Sequence, residues 1–123
     1  MYRSILLSLL SFSVGTAAIA EKEEWNPSTL SEKTIEAIQQ QTLVYHQCLD
    51  RELNGMRETI ADSRDATNRV LKQCEALLDP IRDSLVAEKV PQEIATRYLL
   101  RKRHQAARQV LKFVMFAQSR QAQ

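Results

Sequence analysis

Cys48 and Cys74 are the only thiols in this 123-residue chain, and His46 and His104 its only imidazoles. Three chemistries are open to such a set: a metal site recruiting the thioethers of Met56 and Met115, a redox dithiol, or a structural disulfide. Spacing decides among them. His46 and Cys48 are two residues apart, which on a helix points them about 200° away from each other, so they cannot close on one ion. His46 and Asp50 stand at i,i+4, but two ligands make a weak, adventitious site. Redox dithiols lie close in sequence at a helix N-terminus, where the thiolate is stabilised. Cys48 and Cys74 occupy helix interiors instead. The midpoint between them is residue 61, beside a helix-start signal at Asp62, so two antiparallel helices turning there bring them face to face. An intramolecular, structural disulfide is expected, with no metal site and no cofactor.

Catalytic signatures are missing. There is no nucleophile elbow, zinc-protease helix, haem-attachment motif or phosphate loop, and with Gly15 and Gly55 the only glycines none can be built. Acidic pairs such as Asp62 with Asp65 or Glu32 with Glu36 are spaced as surface helix charges, with nothing to part their pKa values. The chain is expected not to be an enzyme, and a narrow helical bundle is expected to lack a cleft.

The elements that must position these residues are helices. Pro27, Pro80 and Pro91 are the only prolines, and good helix formers fill the stretches between them, which predicts an all-α fold. Residues 1–20 read as a signal peptide: Arg3, an apolar stretch from Ile5 to Val14, and Ala18-Ile19-Ala20 as the cleavage motif. The mature chain is expected to begin at Glu21 in the periplasm or outside the cell, where disulfides persist. Residues 21–30 form a charged arm, 31–119 one helical domain, and 120–123 a disordered tail within a Gln-rich end that starts at Gln118.

A first helix is expected from Ser28 or Ser31, as N-cap, to Asn54. Its stripe is Ile35, Ile38, Thr42, Tyr45, Leu49 and, past an interruption at Glu52, Met56, with Gly55 as the stop. A second starts at Asp62 or Ser63 with the stripe Ala66, Val70, Cys74, Leu77, Ile81 and Leu85. Pro80 either kinks it or restarts it with Asp79 as cap; unbroken apolar spacing favours a kink. Pro91 opens a third helix to Ser119, completing an up-down-up three-helix bundle: a disulfide-linked hairpin plus a long amphipathic C-terminal helix.

Charge is laid out unevenly. Residues 21–81 hold seven Lys and Arg against twelve Asp and Glu, and residues 82–123 nine against three. One reading is attraction between an acidic hairpin and a basic helix; the other is a basic face offered to an anionic partner. In the third helix Arg97, Arg101, His104, Arg108 and Lys112 fall on one stripe, opposite Ala95, Leu99, Ala106, Val110, Phe113 and Ala117. Leu111, Val114, Met115 and Phe116 extend the apolar surface off that core stripe. The basic stripe with Val114, Met115 and Phe116 is therefore the expected working surface. The function it implies is a non-catalytic binding or chaperone-like module that meets a protein partner or a second copy. Docking of the same helix on anionic lipid or another acidic envelope component comes next, metal handling third, and nucleic acid is not expected outside the cytoplasm.

Overall fold

The computed structural model describes residues 29–56 and 60–121. The expected signal peptide, the cleavage point before Glu21, most of the arm and the end of the tail lie outside the described residues. Among the described residues four α-helices follow in order: α1 (Glu32–Gly55), α2 (Ser63–Cys74), α3 (Asp79–Ala87) and α4 (Gln92–Gln121). A 3-10 turn, Glu75–Leu78, joins α2 to α3, making one interrupted rod. Three links fix an up-down-up bundle. Cys48 and Cys74 are joined by a disulfide with Cα atoms 5.9 Å apart, Ser31 before α1 reaches Glu88 after α3, and Gln118 near the end of α4 donates to the Ala61 carbonyl before α2 at 3.0 Å.

Local chemistry sets the helix starts. The Ser31 hydroxyl caps α1 by accepting from the Thr34 amide, and Asp62 caps α2 by accepting from the Arg64 and Asp65 amides at 2.8 and 2.9 Å. Gly55 belongs to α1 and keeps an ordinary negative φ; Met56 ends the helix by donating its amide to the Leu53 carbonyl. The helix ends at the expected glycine, but Gly55 does so without the left-handed conformation. That conformation occurs at Lys89, φ 59°. Its amide donates to Val86 and the Val90 amide to Leu85, a complete Schellman closure of α3 in which buried Val90 packs beside buried Leu85.

Pro80 divides the second rod, and the expected kink is replaced by the tightened turn. Lacking an N–H and crowding the carbonyl four residues back, Pro80 leaves Ala76 without its α-helical donor; the Asp79 amide supplies one in 3-10 register. Leu78, not Asp79, occupies the cap position, and Pro80 falls within the first two residues of α3. Leu78, four residues after Cys74 and three before Ile81, is buried where Leu77 was expected, with Leu77 half-buried at the edge.

In α1, Ile38, Tyr45, Leu49 and Leu53 are buried, as is Met56 at its C-cap, while Ile35 is 40% exposed. Leu53 carries the stripe past Glu52, so the expected interruption does not exist. Gln41 and Ser84 exchange hydrogen bonds at 3.0 and 3.1 Å between α1 and α3, a polar pair amid otherwise apolar packing.

Candidate partner-binding surface of the C-terminal helix

Ala95, Leu99, Ala106, Val110 and Val114 are the buried residues of α4. From Ala106 onward they recur every fourth residue, and each such step turns the buried line by about 40°. The core therefore takes Val114, fully buried, and leaves Phe113 and Ala117 half-buried at its margin. This corrects the expectation that Val114 belongs to the exposed apolar end. Leu111 is half-buried, whereas Met115 and Phe116 are 56% and 62% exposed, as the excess of apolar residues in that stretch requires.

Arg97, Arg101, His104, Arg108 and Lys112 are all exposed along one face. Met115 continues their line, three residues beyond Lys112. Among the described residues none of the five makes an ion pair. Among the described residues the single salt bridge joining α4 to the acidic hairpin is Arg103 with Glu75, at 3.4 Å, from a residue outside the stripe. The other two salt bridges, Arg69 with Asp65 and Arg82 with Asp79, are neighbours within one rod. Two further cations of α4 rest on rings of their own helix: Lys102 lies 5.4 Å from the Tyr98 ring centre and Arg120 5.7 Å from that of Phe116.

The first half of α4 carries a feature that helix periodicity did not disclose. Ile94 and Tyr98, with Ile35 and Ile38 of α1, Leu30 before it, and Leu85 and Val90 from the end of α3, enclose a groove of about 610 Å³. Arg97 and Arg101 stand at its exposed edge. The expectation that the bundle lacks a cleft is thereby corrected. Three segments meet at this end without filling it, because Ile35 is held off the core and α3 stops at Ala87. The wall is pinned by Glu88, whose carboxylate accepts hydrogen bonds from the Ser31 and Thr34 hydroxyls. These bonds, that from Ser31 foremost, hold the Glu88 carboxyl below its usual range.

At mid-bundle, beside the disulfide, the Tyr45 hydroxyl is buried without a hydrogen-bond partner among the described residues, and burial raises its pKa. The ring meets that of His46 edge-on at 6.0 Å. Cys48 is committed to the disulfide and cannot serve His46 as a fellow ligand. Among the described residues no group of three His, Cys, Asp or Glu is placed to hold a metal ion, and no helix is long and apolar enough to cross a membrane.

Comparison of the chain with protein-family models, with curated proteins and with solved structures gave no match. The reading of this surface rests on its own chemistry. A line of unpaired cations beside exposed apolar side chains can hold an extended anionic surface by screened attraction, and the groove at its upper end can take an apolar group. Of the site residues expected from sequence, Arg97, Arg101, His104, Arg108, Lys112 and Met115 share one helix face, Phe116 lies on its flank and Val114 is in the core. The signal that could have revealed the groove is the coincidence of Ile94 and Tyr98 between the core stripe and Arg97 and Arg101.

Proposed function

We propose that the protein is a non-catalytic helical binding module, exported to the periplasm or beyond the cell, which presents the basic face of α4 to an acidic protein partner. One observation carries the reading: four cations, Arg97, Arg101, Arg108 and Lys112, share an exposed face with His104 and have no counter-ion among the described residues. A solvated basic face needs no partner to be stable, but unneutralised like charges along one helix repel, and an acidic surface relieves that repulsion on binding. The Cys48–Cys74 disulfide is compatible with an oxidising compartment and so with export.

A second reading, docking on anionic lipid, draws on Met115 and Phe116, exposed apolar side chains next to Lys112 and Arg120. The two readings separate by probe. Retention on immobilised polyglutamate and flotation with vesicles of phosphatidylglycerol and phosphatidylcholine are compared for the wild type, for R97Q/R101Q/R108Q and for F116S. An acidic-protein surface gives polyglutamate binding that weakens with salt, as the Debye length falls from about 10 Å at 0.1 M to about 3 Å at 1 M, and that the triple variant loses while F116S keeps it. Lipid docking gives flotation lost in both variants. Binding unchanged by the triple substitution, or absent to both probes, overturns the proposal.

A further inference from the structure

We infer that the groove between α1, α3 and α4 is the seat of the chain's own residues 21–28, with Trp25 entering it and Glu23 and Glu24 facing Arg97 and Arg101. This goes beyond the proposed binding function and does not depend on it; a seated arm takes up Arg97 and Arg101 and leaves Arg108 and Lys112 to a partner.

Three observations converge. The groove is open and mostly apolar, its wall formed by Leu30, Ile35, Ile38, Leu85, Val90 and Ile94, with no acidic side chain among the described residues that line it. Its edge carries Arg97 and Arg101, which have no counter-ion among the described residues. Leu30 is part of the wall, so the chain enters the described structure at the groove itself. Immediately upstream the sequence reads Glu21-Lys22-Glu23-Glu24-Trp25-Asn26-Pro27-Ser28: one large aromatic ring behind three carboxylates, the complement of an apolar hollow with a cationic edge.

The reach is sufficient. Five residue steps separate Leu30 from Trp25, an extended span of up to about 17 Å. Along α4 the groove runs from Ile94 to Arg101, about 10 Å at helical rise. The tether makes docking intramolecular, with an effective concentration on the order of millimolar. Weak attraction by two exposed arginines and the burial of one indole then suffice, where the same peptide added in solution would bind poorly. Glu88 serves this seat indirectly: by holding Ser31 and Thr34 it fixes the direction in which the chain leaves Leu30.

Trp25 is the only tryptophan, so intrinsic fluorescence of the purified protein reports the seat without a label. The expected result is emission blue-shifted from that of the urea-unfolded protein and protected from acrylamide. In R97Q/R101Q, and separately in I94D, emission should move toward the unfolded value while far-UV circular dichroism keeps the helical spectrum. E23Q/E24Q should weaken protection and remove its salt dependence. Native emission equal to the unfolded value overturns the inference. So does a blue shift that both groove variants leave intact, which would place Trp25 elsewhere. A blue shift that fades on dilution together with a sedimenting dimer assigns the seat to a second copy's arm and overturns docking within one chain. Protection displaced by laurate, and equally strong laurate binding in W25A, would make an anionic amphiphile the preferred occupant and likewise count against the arm. Failure of α4 to bind polyglutamate or vesicles leaves every one of these readings unchanged.

Discussion

Replacing Cys48 and Cys74 together with alanine tests how much of this small fold depends on its one covalent tie. The bridged residues are 26 apart in sequence. Closing a loop of that length removes about 12 cal/mol/K of entropy from the unfolded chain, or about 3.5 kcal/mol at 25 °C. A domain of this size has on the order of 5–15 kcal/mol in total, so the variant should still fold at room temperature. Its melting temperature should fall by about 14–28 °C, at about 4–8 °C per kcal/mol. Cys74 is fully buried, and its lost sulfur adds a small packing deficit of its own. Urea unfolding followed by circular dichroism separates the two contributions. A crosslink that acts on the unfolded ensemble restrains the surface exposed on unfolding, so the variant's m-value should rise as its midpoint falls. A lower midpoint with an unchanged m-value would reduce the effect to native-state packing, and a loss under about 1 kcal/mol would refute the loop-entropy account.

Three further tests follow from particular residues. Val114→Ala should cost about 2 kcal/mol as a buried truncation, while Phe116→Ser should change stability by less than about 0.5 kcal/mol; equal losses by urea titration would put Phe116 in the core and contradict its exposure. Lys89→Gly should stabilise the protein by about 1 kcal/mol, because lysine is held at φ 59° where glycine carries no penalty, and a lower melting temperature would show that the lysine side chain has a favourable role that outweighs the backbone. The depressed Glu88 pKa gives a stability contribution present above the ordinary value of 4.5 and lost as pH falls through the lower folded value. The gap in melting temperature between wild type and Glu88→Gln should therefore be widest near neutrality and narrow below pH 4.5, and a gap constant from pH 3 to 7 would rule out the hydrogen-bonded carboxylate as its source.

Much of the bundle was legible because its signals are local. Caps at Ser31 and Asp62, the Val90-Pro91 break and the near-mirror placement of the cysteines about residue 61 each depend on a few neighbouring residues. Errors arose where phase depends on geometry between rods. Leu78 took the core place expected of Leu77, because the second rod is interrupted there and its buried side is set by the helices packed against it rather than by spacing alone. Val114 entered the core because the buried line of α4 drifts around the helix instead of following its axis. Lys89 closes α3 in a conformation for which glycine is the usual sign, so no residue type announced it. The basic face was readable from periodicity alone, but the groove beside it is a property of three chain segments that end near one another, and no single segment encodes that space.

Where the disulfide meets the second rod has a consequence for how the protein opens. Cys74 is the last residue of α2, immediately before the tightened turn, so covalent restraint stops where the backbone changes its hydrogen-bond pattern. Beyond that point α3 is fastened to α1 by Gln41 with Ser84, by the Glu88 cluster and by side-chain packing. The rod is thus expected to open as two units in series. Amide protons of α3 should exchange through a sub-global peeling that leaves α1 and α2 protected, at a free energy below that of global unfolding. Leu85 and Val90 belong to the looser unit, so the groove they help enclose should widen and narrow with it, and entry of a bulky group need not wait for the stapled half of the molecule to move.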